Sequence, residues 1–519
     1  MSRRLIAVLI SVVTLSLGWL SLTGLALPIA LVPLLWISHS AENSKKGWWQ
    51  TFRYALLTFV LWNVVTVWWI WNASPVGPIA ATIVSSALSM IAFMGYHTIL
   101  KRASKKLAYT LLVALWITLE YWYTTSDISW PWLLLGNGFS NDIWAIQWYE
   151  YTGLFGGSLW VLCSNIAIFE AYLSRKRWAI ARAGIITILP IIISSIIYLT
   201  YKEPNDNSIT VTVVQPNVHH GDKNKPSDKE QEQNLLSLAS KSPSNVDYIV
   251  MPECAIPKYI QEPALDNNLF VNKIHNLLNS KYPTAEVVAG GSTLKFYRDG
   301  EETTTARTNK DGSRYDIFNS ALYIHAKRPS TVHHKERLVI GTESMPVKWL
   351  FEWLDFLVID LGGSMGELGR GTERVVSHGD KATIGAAICY EALYGAYYGE
   401  FINNGAEAMF VISNDCWWDN TPGYRHLFSM SAIRAVEHRR AIARSANTGI
   451  SGFISSRGDH LETLGWDQRG VLTAKVPLNS EKTIYTIYGD IIARIAQFVT
   501  LLSLLYYMVW RVRKRHHIV

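Results

Sequence analysis

Apolar stretches near Leu5–Leu22, Leu25–Ile37, Tyr54–Trp71, Ile79–Leu100, Leu107–Tyr123, Leu154–Leu173 and Ile180–Leu199 fill the first 200 residues, and one more lies near Ile491–Trp510. No other feature limits the fold as strongly, because a helix needs about 20 mostly apolar residues to cross a bilayer. The second stretch is short and contains Pro28 and Pro33. Hydrophobic residues make up 49% of the 519, charged residues only 17%, and there are 22 Trp. That balance is too apolar for a wholly soluble chain. The reading is an eight-helix polytopic membrane domain: seven helices over residues 1–200, and the eighth with a basic tail over 487–519. Residues 201–486 form a separate domain between them.

Charge gives the expected orientation. Lys and Arg gather in alternate loops, at Arg3-Arg4, Lys45-Lys46-Arg53, Lys101 to Lys106, Arg175 to Arg182 and Arg511 to Arg515, and are missing from the short loops between. The longest of those, Thr124 to Gly153, carries Asp127, Asp142 and Glu150 instead. The positive-inside rule then places both termini in the cytoplasm and residues 201–486 outside it. The formal charge of +7 follows from these loops, so it signals topology and gives a nucleic-acid partner little support. Arg3-Arg4 before an apolar run resembles a signal peptide, but further spans follow at once without a convincing cleavage site, so an uncleaved anchor is expected.

Within 201–486 strand-like and helix-like segments alternate, which defines an α/β domain. Strands are expected at Ile209–Asn217, Asp247–Met251, Glu286–Gly291, Ile317–Ile324, Ala382–Ile388, Ala406–Asp415, Ala441–Ser445 and Ile450–Ser455. Helices are expected within Asp222–Lys241 and near Leu269–Leu278 and Tyr424–Arg440. Three strands end in reactive side chains: Glu253 after Met251-Pro252, Lys335 after His333-His334, and Cys389 after Ile388. A carboxylate, an ammonium and a thiol at strand ends can supply a base, an oxyanion partner and a nucleophile. No phosphate loop or metal-ligand spacing is present. His333 and His334 are adjacent and diverge on a strand, so no metal site and no cofactor are expected.

These segments resemble the nitrilase, or carbon-nitrogen hydrolase, superfamily, and over the full length the apolipoprotein N-acyltransferase family within it. The residues that carry the resemblance are Val214-Gln215-Pro216-Asn217, Pro252-Glu253, Asn319-Ser320-Ala321-Leu322, His334-Lys335, Cys389-Tyr390-Glu391, Ser413-Asn414-Asp415 and Arg444 to Gly449, with Trp130-Pro131-Trp132-Leu133 in the membrane part. Met251, Cys254 and Cys416 depart from the family pattern. The resemblance implies an αββα sandwich inserted between the seventh and eighth spans, with Glu253 as general base, Lys335 as the cation for thiolate and oxyanion, and Cys389 as nucleophile. It implies supporting roles for Glu343, Tyr390 and Glu391.

The implied reaction moves an acyl group from a phospholipid donor, through a thioester, to the α-amine of a diacylglyceryl apolipoprotein. The implied setting is a monomer in a bacterial inner membrane with a periplasmic catalytic domain. The alternatives are a membrane-tethered amidase or nitrilase with water as acceptor, and a transporter with a passive ectodomain. The amphipathic stretch Val347–Ile359, with Trp349, Trp353 and Phe356 on one face, reads as a substrate-admitting arm or as a helix packed on its own domain. The aromatic loop containing Trp132 reads as an interfacial belt and a substrate contact. Cys254 and Cys416 either pair with each other or remain separate thiols.

Overall fold

Pro28 and Pro33 decide what becomes of the second apolar stretch. Proline has no N–H and its ring clashes with the preceding turn. In the computed structural model, which describes residues 3–203, 207–219, 226–344 and 367–515, the stretch forms two short helices, Leu27–Ala30 and Val32–Ala41. Backbone groups freed inside a bilayer must be met from within the protein. Asn165 meets them here. Its Oδ1 accepts from the N–H of Leu31 at 2.7 Å and of Val32 at 3.1 Å, and its Nδ2 donates to the Leu27 carbonyl at 2.8 Å.

The chain divides into two compact units, Met1–Thr200 with Tyr488–Val519, and Tyr201–Ile487. In the first unit, six helices among the described residues are long and apolar enough to cross a membrane: Arg3–Leu20, Gly47–Asn72, Gly77–Arg102, Tyr149–Ser174, Arg177–Thr200 and Ile491–Lys514. The other two of the eight expected spans differ in kind. The second is the short, broken Leu27–Ser40. The fifth is a 21-residue helix, Lys105–Thr125, whose Tyr, Trp and Thr content makes it less apolar. Length and composition thus support six of the eight.

The loop between Thr125 and Tyr149 folds into three 3₁₀ turns held by buried side chains. Glu120 Oε1 accepts from the Leu135 N–H at 2.8 Å, and Tyr149 donates its hydroxyl to the Gly136 carbonyl at 2.9 Å. Trp132 is fully buried within this unit. Its ring stacks on Trp130 with centroids 5.2 Å apart and meets Trp69 at 4.9 Å, and its carbonyl accepts from Trp19 Nε1 at 3.0 Å. It is packing in the helical unit, whereas Trp144 is 39% exposed.

In the second unit the apolar strand segments pair into two sheets. The first contains β1 (Ser208–Gln215), β2 (Tyr248–Val250), β3 (Ile256–Gln261), β4 (Glu286–Tyr297), β5 (Arg307–Thr308), β6 (Arg314–His325), β7 (Thr331–His334) and β14 (Gly470–Pro477). Its order is β14-β1-β2-β4-β6-β5, with β3 on β4 and β7 on β6. The second contains β8 (Val376–His378), β9 (Thr383–Ile388), β10 (Ala408–Ser413), β11 (Ile442–Ala446), β12 (Ser451–Ile454) and β13 (His460–Leu464), in the order β13-β12-β11-β10-β9-β8. Strands β1, β2 and β4 run parallel, as do β9, β10 and β11.

The sheets face each other and exchange hydrogen bonds. Tyr323 of β6 accepts from the Ala386 N–H at 2.9 Å, Tyr248 donates to the Ala382 carbonyl at 3.0 Å, and Ser445 donates to the Val214 carbonyl at 2.7 Å. Helices Asp228–Ala239 and Leu269–Lys281 bury Leu235, Leu238, Phe270 and Ile274 against Val214, Ile249, Val287 and Leu322 of the first sheet. Helix Gly395–Asn403 packs on β9, and Pro422–His438 packs on it and on the turn after β9. The layers are therefore helix, sheet, sheet, helix.

Each strand expected from the sequence is present. The sequence reading gave no range for β3, β5, β7, β8, β13, β14 or the helix Gly395–Asn403. Strand β13 lies on the sheet edge with four of its five residues exposed, so it has no inward-facing pattern to read.

Candidate active site

Parallel strands bring several polar side chains to their carboxyl ends, the usual place for a site in an α/β sheet. From the first sheet, β2 ends at Val250 and the chain turns through Met251-Pro252-Glu253. Gly290 of β4 makes room for that turn, because a Cβ there would lie 2.5 Å from the Glu253 Cα. Glu253 is 6% exposed. Its Oε1 accepts from Lys335 Nζ at 3.1 Å and from Asn319 Nδ2 at 2.7 Å, and its Oε2 accepts from the Asn414 N–H at 2.9 Å.

Lys335 immediately follows β7, and its N–H donates to the Asn319 carbonyl of β6 at 2.8 Å. Its Nζ also donates to Glu343 Oε1 at 2.9 Å. Glu343 takes the second proton of Asn319 Nδ2 at 2.8 Å on Oε1, and the Val339 N–H at 2.8 Å on Oε2. One ammonium and one amide thus bind two carboxylates in a nearly dry space. Burial alone would lower the Lys335 pKa, but the charges of Glu253 and Glu343 and the sulfur of Cys389 outweigh it and hold the pKa well above its ordinary value. Lys335 is therefore a fixed cation.

From the second sheet, β9 ends at Ile388 and Cys389 opens a 3₁₀ turn with φ of +50°. A non-glycine residue in this left-handed region is uncommon and strained. The left-handed residue ends the sheet's pleat and starts the turn at the strand end. Burial and the Glu253 charge push the Cys389 pKa up, against the smaller opposing effect of Lys335. The resting side chain is a neutral thiol that needs a base.

Glu391, two residues on, is fully buried and ties the two loops together. Its Oε2 accepts from the Ile388 N–H at 2.9 Å and His333 Nε2 at 3.3 Å, and its Oε1 accepts from the Glu336 N–H at 2.8 Å and from the Tyr397 hydroxyl. Burial raises its pKa, but His333, Tyr397 and the Ile388 N–H together bring the net value below ordinary. Tyr390 is buried, with its ring edge-on to Tyr394 at 5.5 Å. His333 and His334 do diverge: His334 pairs with Glu262 at 2.7 Å and stacks on Phe318 at 4.0 Å.

A buried bidentate pair, Arg444 to Asp415 at 3.0 and 3.1 Å, fixes the turn whose Asn414 N–H reaches Glu253. Cys254 and Cys416 form no disulfide. Trp349, Trp353, Phe356 and the rest of the Val347–Ile359 stretch lie outside the described residues. Trp132 belongs to the helical unit. The sequence reading named Asn319 only as part of a motif. The signal was available, since it is the one amide in the run Ile317–Ile324.

This arrangement defines the class: the chain belongs to the carbon-nitrogen hydrolase family, whose model matches residues 210–485, more than half of the 519. Residues 11–167 match a second model, the apolipoprotein N-acyltransferase N-terminal domain. The chain is 28% identical to the apolipoprotein N-acyltransferase of Chlorobaculum tepidum over 482 residues, covering 90% of this chain and 89% of that one. It is 26% identical to the apolipoprotein N-acyltransferase of Geobacter metallireducens over 412 residues, covering 76% and 74%. Among solved structures, the nitrilase-superfamily protein Nit3 of Saccharomyces cerevisiae aligns with a TM-score of 0.37 and 16% identity, over 52% of this chain and 90% of that one.

Proposed function

We propose that this chain is a phospholipid-dependent protein N-acyltransferase, working in the membrane through a thioester on Cys389. The observation that carries the reading is the Lys335 ammonium, 3.1 Å from Glu253 and 2.9 Å from Glu343, held by the same fold that strains Cys389. The relatives' names and the apolar helices support an acyl donor and an acceptor drawn from a bilayer.

In the first step Glu253 takes the thiol proton as sulfur attacks an ester carbonyl of the phospholipid. Lys335 stabilises the tetrahedral oxyanion, with the Tyr390 N–H as second donor. The glycerol oxygen leaves with the proton from Glu253, and the acyl group remains as a thioester. In the second step the α-amine of a lipid-modified N-terminal Cys attacks the thioester. Glu253 takes a proton from the amine and returns it to the departing sulfur, giving an amide and the free thiol. Glu343 holds Lys335 in place through both steps. In this reading the domain containing residues 201–487 faces the periplasm and both termini face the cytoplasm, following the basic loops.

The test is intact-mass spectrometry of full-length protein incubated with phospholipid vesicles. A hydroxylamine-labile acyl adduct that is absent in Cys389→Ala and discharges to a diacylglyceryl-peptide amine is the expected result. An adduct retained in Cys389→Ala would overturn the assignment, and discharge to water alone would indicate a membrane-tethered amidase.

A further inference from the structure

The helical unit contains a groove of about 480 Å³ that the acyl-transfer reading does not use. Its walls come from four helices: Val113 and Ile117 of Lys105–Thr125, Cys163 and Ala167 of Tyr149–Ser174, Ile186 of Arg177–Thr200, and Ile495 of Ile491–Arg515. Polar side chains concentrate at one end, where Arg182, Tyr109 and Thr110 line it.

The groove lies beside the points where its two outer helices are held. Helix Arg177–Thr200 rests on Tyr149–Ser174 through a cluster of alanines, Ala167, Ala171, Ala179 and Ala183, and Trp160 Nε1 donates to the Ile186 carbonyl at 3.0 Å. Helix Ile491–Arg515 meets Lys105–Thr125 where Thr118 and Thr500 share a hydrogen bond of 3.0 Å. Between these contacts no side chain among the described residues fills the space. Protein buries only 11% of the apolar window of Arg177–Thr200 and 22% of that of Ile491–Lys514, against 72% for Tyr149–Ser174. What surrounds these two helices is therefore the bilayer. An apolar space of this kind stays dry, so hydrocarbon is its natural filling.

The polar end selects the kind of lipid. Tyr109 is committed to Glu170, whose other oxygen takes Lys105. Arg182 pairs with no carboxylate among the described residues and lies over the Trp178 ring at 5.4 Å. An unpaired guanidinium is a ready phosphate ligand. It sits among the basic residues Arg175, Lys176 and Arg177 of the same loop and helix start. Along Lys105–Thr125 the lining runs from Tyr109 to Ile117, about 12 Å at the rise of an α-helix. Along Ile491–Arg515 it lies at Ile492 to Val499, the end away from the basic tail, so from its polar end the groove reaches past the depth of one leaflet, about 15 Å.

We infer that this groove is a binding site for a membrane phospholipid of the leaflet beside the basic loops, with one acyl chain between helices Arg177–Thr200 and Ile491–Arg515 and the phosphate on Arg182. The inference does not rest on the acyl-transfer reading. The lipid enters from the leaflet opposite the one that reading gives to the donor, so it is a resident ligand.

The test uses full-length protein in phosphatidylglycerol vesicles doped with a phosphatidylglycerol that carries a diazirine at the end of one acyl chain. After photolysis, labelled peptides are mapped. Labelling of residues 159–167 and 492–499 should exceed that of the lipid-facing stretch 79–91 by about tenfold, and Arg182→Gln should reduce the excess by about tenfold. A diacylglycerol bearing the same diazirine should show no excess. Val113→Trp, which fills the groove, should remove the excess while Arg182→Gln leaves thermal unfolding of the protein unchanged. Uniform labelling of all lipid-facing helices would overturn the site. Equal labelling by the diacylglycerol, or indifference to Arg182→Gln, would overturn the phosphate contact and with it the proposal. If Val113→Trp does not fold, the headgroup comparison and Arg182→Gln still decide.

Discussion

Replacing Asn319 by Asp changes one atom's chemistry at the centre of the polar cluster. The amide Nδ2 donates to Glu253 at 2.7 Å and to Glu343 at 2.8 Å. In Asp the same position is an oxygen, so two attractive contacts become contacts between acceptors. Hydrogen bonds to charged groups contribute roughly 1.5–3 kcal/mol each, so about 3–6 kcal/mol is at stake. Lys335 already serves two carboxylates and cannot neutralise a third. The least costly response is uptake of a proton, which restores one bond and leaves a carboxyl whose pKa is raised. If that proton is shared with Glu253, the base is lost, and general-base catalysis contributes roughly 10²–10⁴-fold. A raised pKa means the proton leaves as pH rises. Asn319→Asp should therefore lose at least about a hundredfold in acyl-enzyme formation near neutral pH and recover part of it in alkaline buffer, over a range where the wild type changes little. The assay is time-resolved intact-mass measurement of the Cys389 adduct across pH, with thermal unfolding as a control for folding. Neutral-pH rates within about threefold of wild type, or a loss that does not relax with rising pH, would refute the argument from proton sharing.

Three further outcomes follow from the same geometry. Glu253→Gln and Lys335→Met should each lower turnover at least about a hundredfold, read as product amide by mass spectrometry; Lys335→Met should also lose stability, because it leaves two buried carboxylates without their cation. Glu391→Gln should turn an amide N–H toward either the Ile388 or the Glu336 N–H, with a cost of about 1–3 kcal/mol in thermal unfolding. Because the Glu391 pKa lies below its ordinary 4.5, this carboxylate's contribution is fully present above that pH and fades as pH falls through the lowered value, so variant and wild type should converge in acid. Finally, iodoacetamide should alkylate Cys389 at a rate that climbs about tenfold per pH unit past pH 9 without levelling off, since the raised pKa keeps the thiolate scarce where an ordinary thiol is already half ionised.

Glu253 and Cys389 were legible because each follows an apolar strand, and a strand end is where a core side chain first meets solvent or substrate. Lys335 follows the polar strand Thr331–His334 and was legible through the His334-Lys335 motif. The parallel strands β2, β4, β9, β10 and β11 were legible for the related reason that they are buried on both faces and read as continuous apolar runs. Strand β14 was not. Its value lies in pairing with β1 across the whole length of both strands, a contact made after more than 250 intervening residues that no local pattern encodes. The links of Asn319 to two carboxylates, and of Glu391 to two loops, depend on side-chain directions that only the folded sheets define. The membrane unit shows the same division. The apolar runs were visible, but the use of Asn165 to repair the break at Pro33, and the burial of Trp132, arise from packing between helices far apart in sequence.

The pairing of β1 with β14 has one more consequence. Ser208 stands opposite Pro477, and the Leu478 N–H donates to the Asn207 carbonyl at 3.0 Å. The domain thus receives the chain and gives it back at neighbouring positions, about 5 Å apart as adjacent strands are. A module with ends this close can be spliced into a short connection without stretching it. It keeps its edge strand β14 paired with β1 along the whole length. A long insertion behaves, for the chain that carries it, like a short loop.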